Sequence, residues 1–195
     1  ASIPYSVVDS ITLYLNGGND VLTVNNVFDS IPTLTINGGI GNDQIIFNND
    51  LMFRKHNHLN VDLQDDDPVP GTDRFSLAAN VNVRLFGTGS AQVKVSRSIT
   101  FAAGASIESE NGDVTLEANL QPTPTAENFT GISLIGSSAK VTGVGNLTVK
   151  GKAGTLSGLT FGIQLDSGGE ITGGTSGQVT VEGTGGLNNV ANANG

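Results

Sequence analysis

The densest group of chemically capable side chains in the sequence is a run of carboxylates that begins at Asp62. Asp65, Asp66 and Asp67 follow within a few positions, and two prolines close the segment. Adjacent carboxylates on a proline-bounded loop can bind a hard divalent cation such as Ca²⁺ through their oxygens. A solvated acidic loop has the same pattern, so the spacing favours simple exposure and leaves cation binding open.

Basic side chains lie just upstream, at Arg54 and Lys55. A polysaccharide lyase or hydrolase needs clustered carboxylates near a Lys or Arg on an exposed face. Here Arg54 or Lys55 would pair with the Ca²⁺-bound carboxylate of an acidic sugar. Nothing in the spacing requires this chemistry. A carbohydrate-active enzyme or sugar-binding module that uses the 62–67 loop on an acidic polysaccharide is therefore the alternative interpretation, and the leading one assigns no catalytic residue.

Two further aspartates, Asp20 and Asp43, recur in a glycine-rich context. Residues 18–22 (Gly-Asn-Asp-Val-Leu) return 23 positions later as Gly-Asn-Asp-Gln-Ile, and a degenerate copy around Asp73 follows after 30 more. Each carboxylate can cap its turn by accepting hydrogen bonds from backbone N–H groups. It can also supply one oxygen ligand to Ca²⁺. The spacing favours turn capping, with Ca²⁺ at Asp20 and Asp43 as the second interpretation.

Short strands must hold these turns, because apolar residues alternate with polar ones in brief bursts along the whole chain. Each burst predicts a strand with one buried face, and the bursts cover residues 11–15, 22–24, 34–36, 61–63, 75–77, 81–85, 93–95, 114–116, 147–149 and 179–181. Gly, Asn and Ser clusters between the bursts are typical of turns. No stretch keeps helical periodicity through three turns.

Composition agrees with an all-β fold and excludes several partners. Hydrophobic residues make up 37% of the 195 residues, charged residues only 14%, and the chain has 27 Gly and no Cys. The net charge of −9 and the scattered Lys and Arg argue against nucleic acid. No apolar run approaches the ~20 residues of a membrane-spanning helix, so no membrane span is expected. Acidity with abundant Asn and Thr favours a secreted or bacterial cell-surface protein.

Internal repetition indicates how the strands are arranged. Residues 15–18 resemble 36–39 at an offset of 21, 131–134 resemble 162–165 at 31, and 146–151 resemble 178–183 at 32. A repeat of this length cannot bury its own apolar face, whereas stacked repeats can. The sequence therefore predicts a right-handed parallel β-helix of about seven or eight irregular coils, in which Leu15 stacks on Ile36. An antiparallel β-sandwich is the second choice.

Residues 38–46 (Gly-Gly-Ile-Gly-Asn-Asp-Gln-Ile-Ile) resemble the RTX nonapeptide of calcium-binding bacterial exoproteins. The resemblance implies Ca²⁺ held between successive coils by the aspartate and the glycine-rich turns. Residues 17–22 are interpreted as a copy shortened by two residues. The RTX pattern repeats every nine residues without interruption, whereas here the copies lie a whole coil apart, which removes the neighbouring half-site.

Residues 99–107 and 111–118 are similar to the coils of filamentous haemagglutinin-type adhesins, and the Gly- and Thr-rich repeats at 131–186 are similar to those of very long bacterial surface proteins. These resemblances imply an exported, elongated protein for adhesion, spacing or assembly. They divide a single solenoid, or a segment of a longer array, into RTX-like coils at 1–77, haemagglutinin-like coils at 78–130 and Gly/Thr-rich coils at 131–195.

The expected binding surfaces and partners follow from this picture. Pro122 and Pro124 break the coil pattern, which predicts a loop over 120–129 that is extruded from the solenoid and offers a second candidate surface. No capping helix is predicted at either end. Open ends expose strand edges, so we expect end-to-end self-association or contact with neighbouring repeats of the same polypeptide, together with a glycan or host-surface ligand.

Overall fold

The computed structural model describes residues 8–25, 30–64, 71–155 and 160–186. Within these ranges the chain forms β-strands and no helix, and every strand pairing is parallel. The all-β prediction is confirmed. The antiparallel sandwich is wrong, because it requires neighbouring strands that run in opposite directions.

The described strands form three sheets. The first sheet contains, in spatial order, β1 (Ser10–Tyr14), β3 (Thr33–Asn37), β6 (Leu59–Leu63), β9 (Ala91–Val95), β12 (Val114–Ala118), β15 (Leu147–Lys152) and β18 (Val179–Thr184). The second contains β2 (Val21–Val24), β4 (Gln44–Phe47), β7 (Arg74–Leu77), β10 (Ser98–Phe101), β13 (Ile132–Ile135) and β16 (Ile163–Asp166). The third contains β5 (Leu51–Met52), β8 (Asn82–Leu85), β11 (Ser106–Ser109), β14 (Ser138–Val141) and β17 (Glu170–Thr172).

Consecutive strands along the chain belong to different sheets, so the chain passes from sheet to sheet before it returns to the first. We use "repeat" for the segment from one strand of the first sheet to the next. Each strand then pairs with its equivalents one repeat earlier and later. This arrangement is compatible with a parallel β-helix.

Most of the repeat offsets predicted from the sequence match the strand registers. Leu22 pairs with Ile45 at an offset of 23, and Ile45 pairs with Phe75 at 30. The offsets of 31 and 32 in the second half recur in the pairings of β13 with β16 and of β15 with β18. Equivalent side chains of successive repeats therefore stack on one another.

The predicted stacking of Leu15 on Ile36 is wrong by two residues. Ile36 pairs with Leu13 at an offset of 23, and the backbone N–H of Leu15 donates instead to the Asn37 carbonyl (3.0 Å). The same offset of 23 continues through the turn, where Gly17 pairs with Ile40. The first glycine-rich turn is therefore not a shortened copy of the second.

Close approach of the two turns explains their glycines. Gly39 (φ +86°) and Gly41 (φ +141°) adopt backbone conformations that side chains disfavour. A Cβ atom at Gly39 would clash with the Asn16 carbonyl, and one at Gly41 with the Gly18 carbonyl. The glycines therefore allow the turns of adjacent repeats to stack at backbone contact.

The core consists of aliphatic and aromatic side chains that point inward from all three sheets. In the second sheet Phe75 lies between Ile45 and Ile99, and its ring packs edge-on against Phe47 (centroids 5.1 Å apart) and Phe101 (6.4 Å). All five side chains are fully buried. The stacking of equivalent residues produces continuous apolar columns, which is the expected source of stability for such short strands.

The segment 120–129 lies outside the strands, as predicted, but it folds back onto the sheets instead of projecting from them. Gln121 and Thr125 are buried, and both bond to buried Asn119. The Arg97 guanidinium pairs with Glu127 (2.7 Å) and anchors the far end of the loop. The strand ends at Ala118, Asn119 follows with a positive φ (59°), and the buried amide side chains hold the loop in place.

Candidate functional site

The recurring aspartates Asp20, Asp43 and Asp73 stack in a column. Each lies directly before a strand of the second sheet. The Asp43 Oδ1 atom accepts a hydrogen bond from the Asp20 backbone N–H (2.8 Å), and Asp73 Oδ1 accepts one from the Asp43 N–H (2.6 Å). Ser96 ends the column by donating its hydroxyl to Asp73 Oδ2 (2.6 Å). The carboxylates of Asp43 and Asp73 therefore each cap a backbone amide, as the favoured interpretation predicted for Asp43, but the amide belongs to the preceding repeat and not to their own turn.

Burial changes the proton affinity of this column. Asp43 and Asp73 are 2% and 5% exposed. Burial raises the pKa of Asp43, the hydrogen bond from the Asp20 amide opposes the rise, and repulsion from Asp20 adds to it. Burial also raises the pKa of Asp73 to about 6, against opposing hydrogen bonds from the Asp43 amide and the Ser96 hydroxyl. The column therefore pairs good hydrogen bonding with unfavourable stacking of like charges.

Two carboxylate oxygens of the column have no hydrogen-bond partner among the described residues. These buried atoms are Oδ2 of Asp20 and Oδ2 of Asp43. A cation or a proton would satisfy such oxygens, because an ionised carboxylate only accepts hydrogen bonds. Among the described residues, however, no group of three or more His, Cys, Asp or Glu side chains is arranged to hold a metal ion. The two aspartates predicted as Ca²⁺ ligands are thus brought together, and Ca²⁺ binding stays a prediction.

Part of the acidic run lies outside the described residues. Asp62 lies on the outward side of β6, in register with Lys94. Asp65, Asp66 and Asp67, the other predicted Ca²⁺ ligands, lie outside the described residues. Cation binding by this loop stays a prediction.

Arg54, His56 and His58, upstream of the loop, take part in local bonding. Arg54 Nη1 donates to the Val8 carbonyl (2.8 Å). His58 Nδ1 lies 2.8 Å from the Ser90 hydroxyl and accepts from the Ser90 N–H at 3.1 Å, so this nitrogen links two repeats. These contacts explain the residues as parts of the fold.

Sequence reasoning missed a ladder of alternating charge on the outer face of the first sheet. The ladder, one residue per repeat, consists of Asp62, Lys94, Glu117, Lys150 and Glu182. Lys94 lies 3.7 Å from Glu117, and Lys150 lies 3.1 Å from Glu182. Opposite charges on adjacent strands favour this register, since a slip would disrupt the alternation. Only the aligned repeats reveal the pattern, because the members are 23 to 33 residues apart.

Comparisons of the chain with protein-family models, with curated proteins and with solved structures found no match. Within the described ranges, no helix has the length and apolar character needed to cross a membrane.

Proposed function

We propose that the chain is a non-enzymatic structural segment of an extracellular bacterial surface protein, folded as a right-handed parallel β-helix. Unbroken parallel pairing from β1 to β18, over aliphatic columns, is the observation that carries the proposal. Seven first-sheet strands at ~4.8 Å spacing would make a rod about 30 Å long. The right hand follows the general preference of parallel crossovers. A rod of this kind suits spacing, adhesion or assembly.

The surface location rests on composition and on resemblance. Net charge is −9, Asn and Thr are abundant, and the repeats resemble those of RTX exoproteins and haemagglutinin-type adhesins. In this proposal the ladders on the outer faces meet solvent, a glycan or another cell-surface ligand.

End-to-end self-association is the second part of the proposal, and the end strands support it. Val179 and Val181 of β18 belong to two of the inward columns, in register with Leu147 and Val149, yet their side chains are 45% and 50% exposed. At the opposite edge, Ile11 and Leu13 of β1 occupy the same two columns and are partly buried. A second copy stacked on the first would continue both columns with aliphatic side chains and cover this surface.

Paired cysteines test the junction, since the natural chain has no Cys. Thr12 and Thr180 occupy the same outward column. In end-to-end stacks, Thr12→Cys/Thr180→Cys should form intermolecular disulfides and give covalent oligomers on non-reducing gels. The control Thr12→Cys/Thr115→Cys should not, because position 115 lies mid-sheet. A strict monomer at all concentrations would contradict self-association.

Calcium stabilisation is the third part, and it rests on the unpaired oxygens of Asp20 and Asp43. These carboxylates would hold the ion, and Ca²⁺ would neutralise their repulsion. We expect a chelator to lower the melting temperature of the parent, because a ligand of the native state alone stabilises it. Asp43→Asn should abolish the effect, and Asp113→Asn, at an exposed capping aspartate, should retain it. An unchanged parent midpoint would eliminate the ion.

Enzymatic turnover of an acidic polysaccharide would overturn the structural proposal. Incubation with acidic polysaccharides, with and without Ca²⁺, is the assay. We expect no product. Product formation that Asp65→Ala abolishes would assign the chain to the carbohydrate-active class instead.

A further inference from the structure

Two adjoining cavities lie on the outer face of the third sheet. One, of about 310 Å³, is lined by Arg84, Leu85, Phe86, Glu108, Glu110 and Thr142. The other, of about 360 Å³, is lined by side chains of β8, β11, β14 and β17 and shares Arg84 and Glu108 with the first. Together they form one groove, which we name the third-sheet groove. Each volume is within the range of small-ligand sites, and both cavities are open depressions on the surface.

Strand register arranges the polar side chains of the groove in rows. Arg84, Glu108 and Lys140 occupy one outward column, and Ser106 and Ser138 belong to the next. Hydrogen-bond donors and acceptors thus alternate at the ~4.8 Å spacing of adjacent strands. A ligand that repeats along the stacking direction would meet equivalent positions in successive repeats.

The charged groups of the central column alternate in sign across adjacent strands but form no close pair. Within the described part of the chain, the side chains of Arg84, Glu108 and Lys140 make no hydrogen bond or ion pair. The charged groups of the groove are therefore available to hydrogen-bond a ligand. In the charge ladder of the first sheet, by contrast, four of the five side chains already form ion pairs with each other.

Two more features shape the groove. Phe86 is 38% exposed and offers a flat apolar surface at one end. Along the second cavity, Gly104, Gly136 and Gly168 all have positive φ and line the wall without side chains. A Cβ atom at Gly168 would meet no atom within 4 Å. The glycines keep this side of the groove open.

We propose that the third-sheet groove binds an uncharged, hydroxyl-rich oligosaccharide that lies along the stacking direction. Hydroxyl groups both donate and accept hydrogen bonds, so they can satisfy Arg84 and Lys140 as well as Glu108. The apolar C–H face of a sugar ring fits an aromatic surface such as Phe86. This site is separate from the strand edges and from the acidic loop, and it does not depend on end-to-end stacking.

Charge decides between an uncharged glycan and an acidic one. Glu108 lies between the two bases of its column, and Glu110 and Glu170 also line the cavities. A polyanion would be repelled by these carboxylates and by the net charge of −9. An extended peptide would lack the backbone pairing that a strand edge offers, because this surface is the face of a sheet.

Calorimetric titration of the full chain tests the proposal, with cellohexaose, laminarihexaose, maltohexaose and mannohexaose as uncharged probes and hexagalacturonate as the acidic comparator. Phe86→Ala removes the apolar surface, and Ser138→Trp fills the groove from an outward, half-buried position. The matched control is Thr148→Trp, at an outward position on the first sheet that is also half-buried. Thermal unfolding of every variant verifies the fold.

We expect at least one uncharged probe to bind, with affinity reduced about tenfold or more by Ser138→Trp and by Phe86→Ala, which corresponds to about 1.4 kcal/mol or more. Thr148→Trp should leave the affinity unchanged. Absence of binding by all four uncharged probes, preference for hexagalacturonate, or binding that Ser138→Trp does not weaken would each overturn the proposal. None of these results depends on whether the chain forms oligomers.

Discussion

Individual aspartates show how one side chain can support the stacking of repeats and also limit its stability. Asp43 and Asp73 each accept a hydrogen bond from an amide one repeat earlier, which satisfies a buried donor. The same geometry stacks carboxylates of like charge in a buried column. The hydrogen bonds are therefore formed by carboxylates whose pKa values are raised by burial.

The first prediction concerns pH and Asp73. Its folded-state pKa of about 6 lies above the reference value of 3.8. Its contribution to the free energy of unfolding is therefore fully present below about pH 4 and is lost as the pH rises through 6. The loss amounts to about 2–3 kcal/mol. Asp73→Asn should remove this dependence and be more stable than the parent at pH 7, by about 1–2 kcal/mol. Urea unfolding at pH 4 to 7 measures the difference.

A matched control is Asp113→Asn, at an exposed capping carboxylate, which should leave the slope between pH 4 and 7 as in the parent. Parallel stability curves for the parent and Asp73→Asn would contradict the role given to burial.

The sequence predicted the recurrence of these aspartates but not what they bond. A residue that caps a stacked turn must return once per repeat, so the offsets of 23 and 30 are visible in the sequence. Whether the cap acts within a turn or between turns depends on backbone distances that no spacing gives. The offset of 21 for Leu15 and Ile36 failed because β1 and β3 pair at an offset of 23, so the two Asn-Gly-Gly segments are not in register.

Strands are the next scale, and their inward residues carry the stability. Alternation identified strands such as β12, whose outward residues are polar. It missed β4, where Ile46 takes an outward place between buried Ile45 and Phe47. Here the alternation is hidden by an apolar residue on the outer side. The prolines of 120–129 were also misleading, because the buried hydrogen bonds of Asn119 hold that loop inward.

The second prediction concerns the aromatic stack. Phe75→Ala should lower the free energy of unfolding by about 3–5 kcal/mol, because it leaves a cavity among well-packed neighbours and removes two edge-on ring contacts. Phe161→Ala, at a side chain that is 48% exposed, is the control and should cost far less. Equal losses in chemical denaturation would refute the assignment of the core.

The third prediction concerns the charge ladder. Glu117→Lys would place three bases in a row with Lys94 and Lys150. We expect a loss of about 0.5–1 kcal/mol at low ionic strength, since like charges on adjacent strands repel, and a smaller loss at high salt. Thr115→Lys is the matched control, because its column neighbours, Gln92 and Thr148, are uncharged. A loss that salt does not reduce would rule out the electrostatic explanation.

At the scale of the whole molecule, the three sheets share one rule of construction. Every described strand pairs with its equivalent one repeat away, and the inward columns, the charge ladder and the third-sheet groove all derive from that register. The sequence predicted the rule from its recurring turns. It could not predict the groove, because the side chains that line it come together only when four repeats are aligned.

The register itself can be measured in solution with paired cysteines, because the chain has none of its own. Thr115 pairs with Thr148, whereas Lys150 lies one outward position further along β15. Under mild oxidation, Thr115→Cys/Thr148→Cys should form an intramolecular disulfide much faster than Thr115→Cys/Lys150→Cys, whose Cα atoms lie beyond easy bridging distance. Equal rates, or faster closure of the second pair, would contradict the stacking of equivalent residues in parallel register.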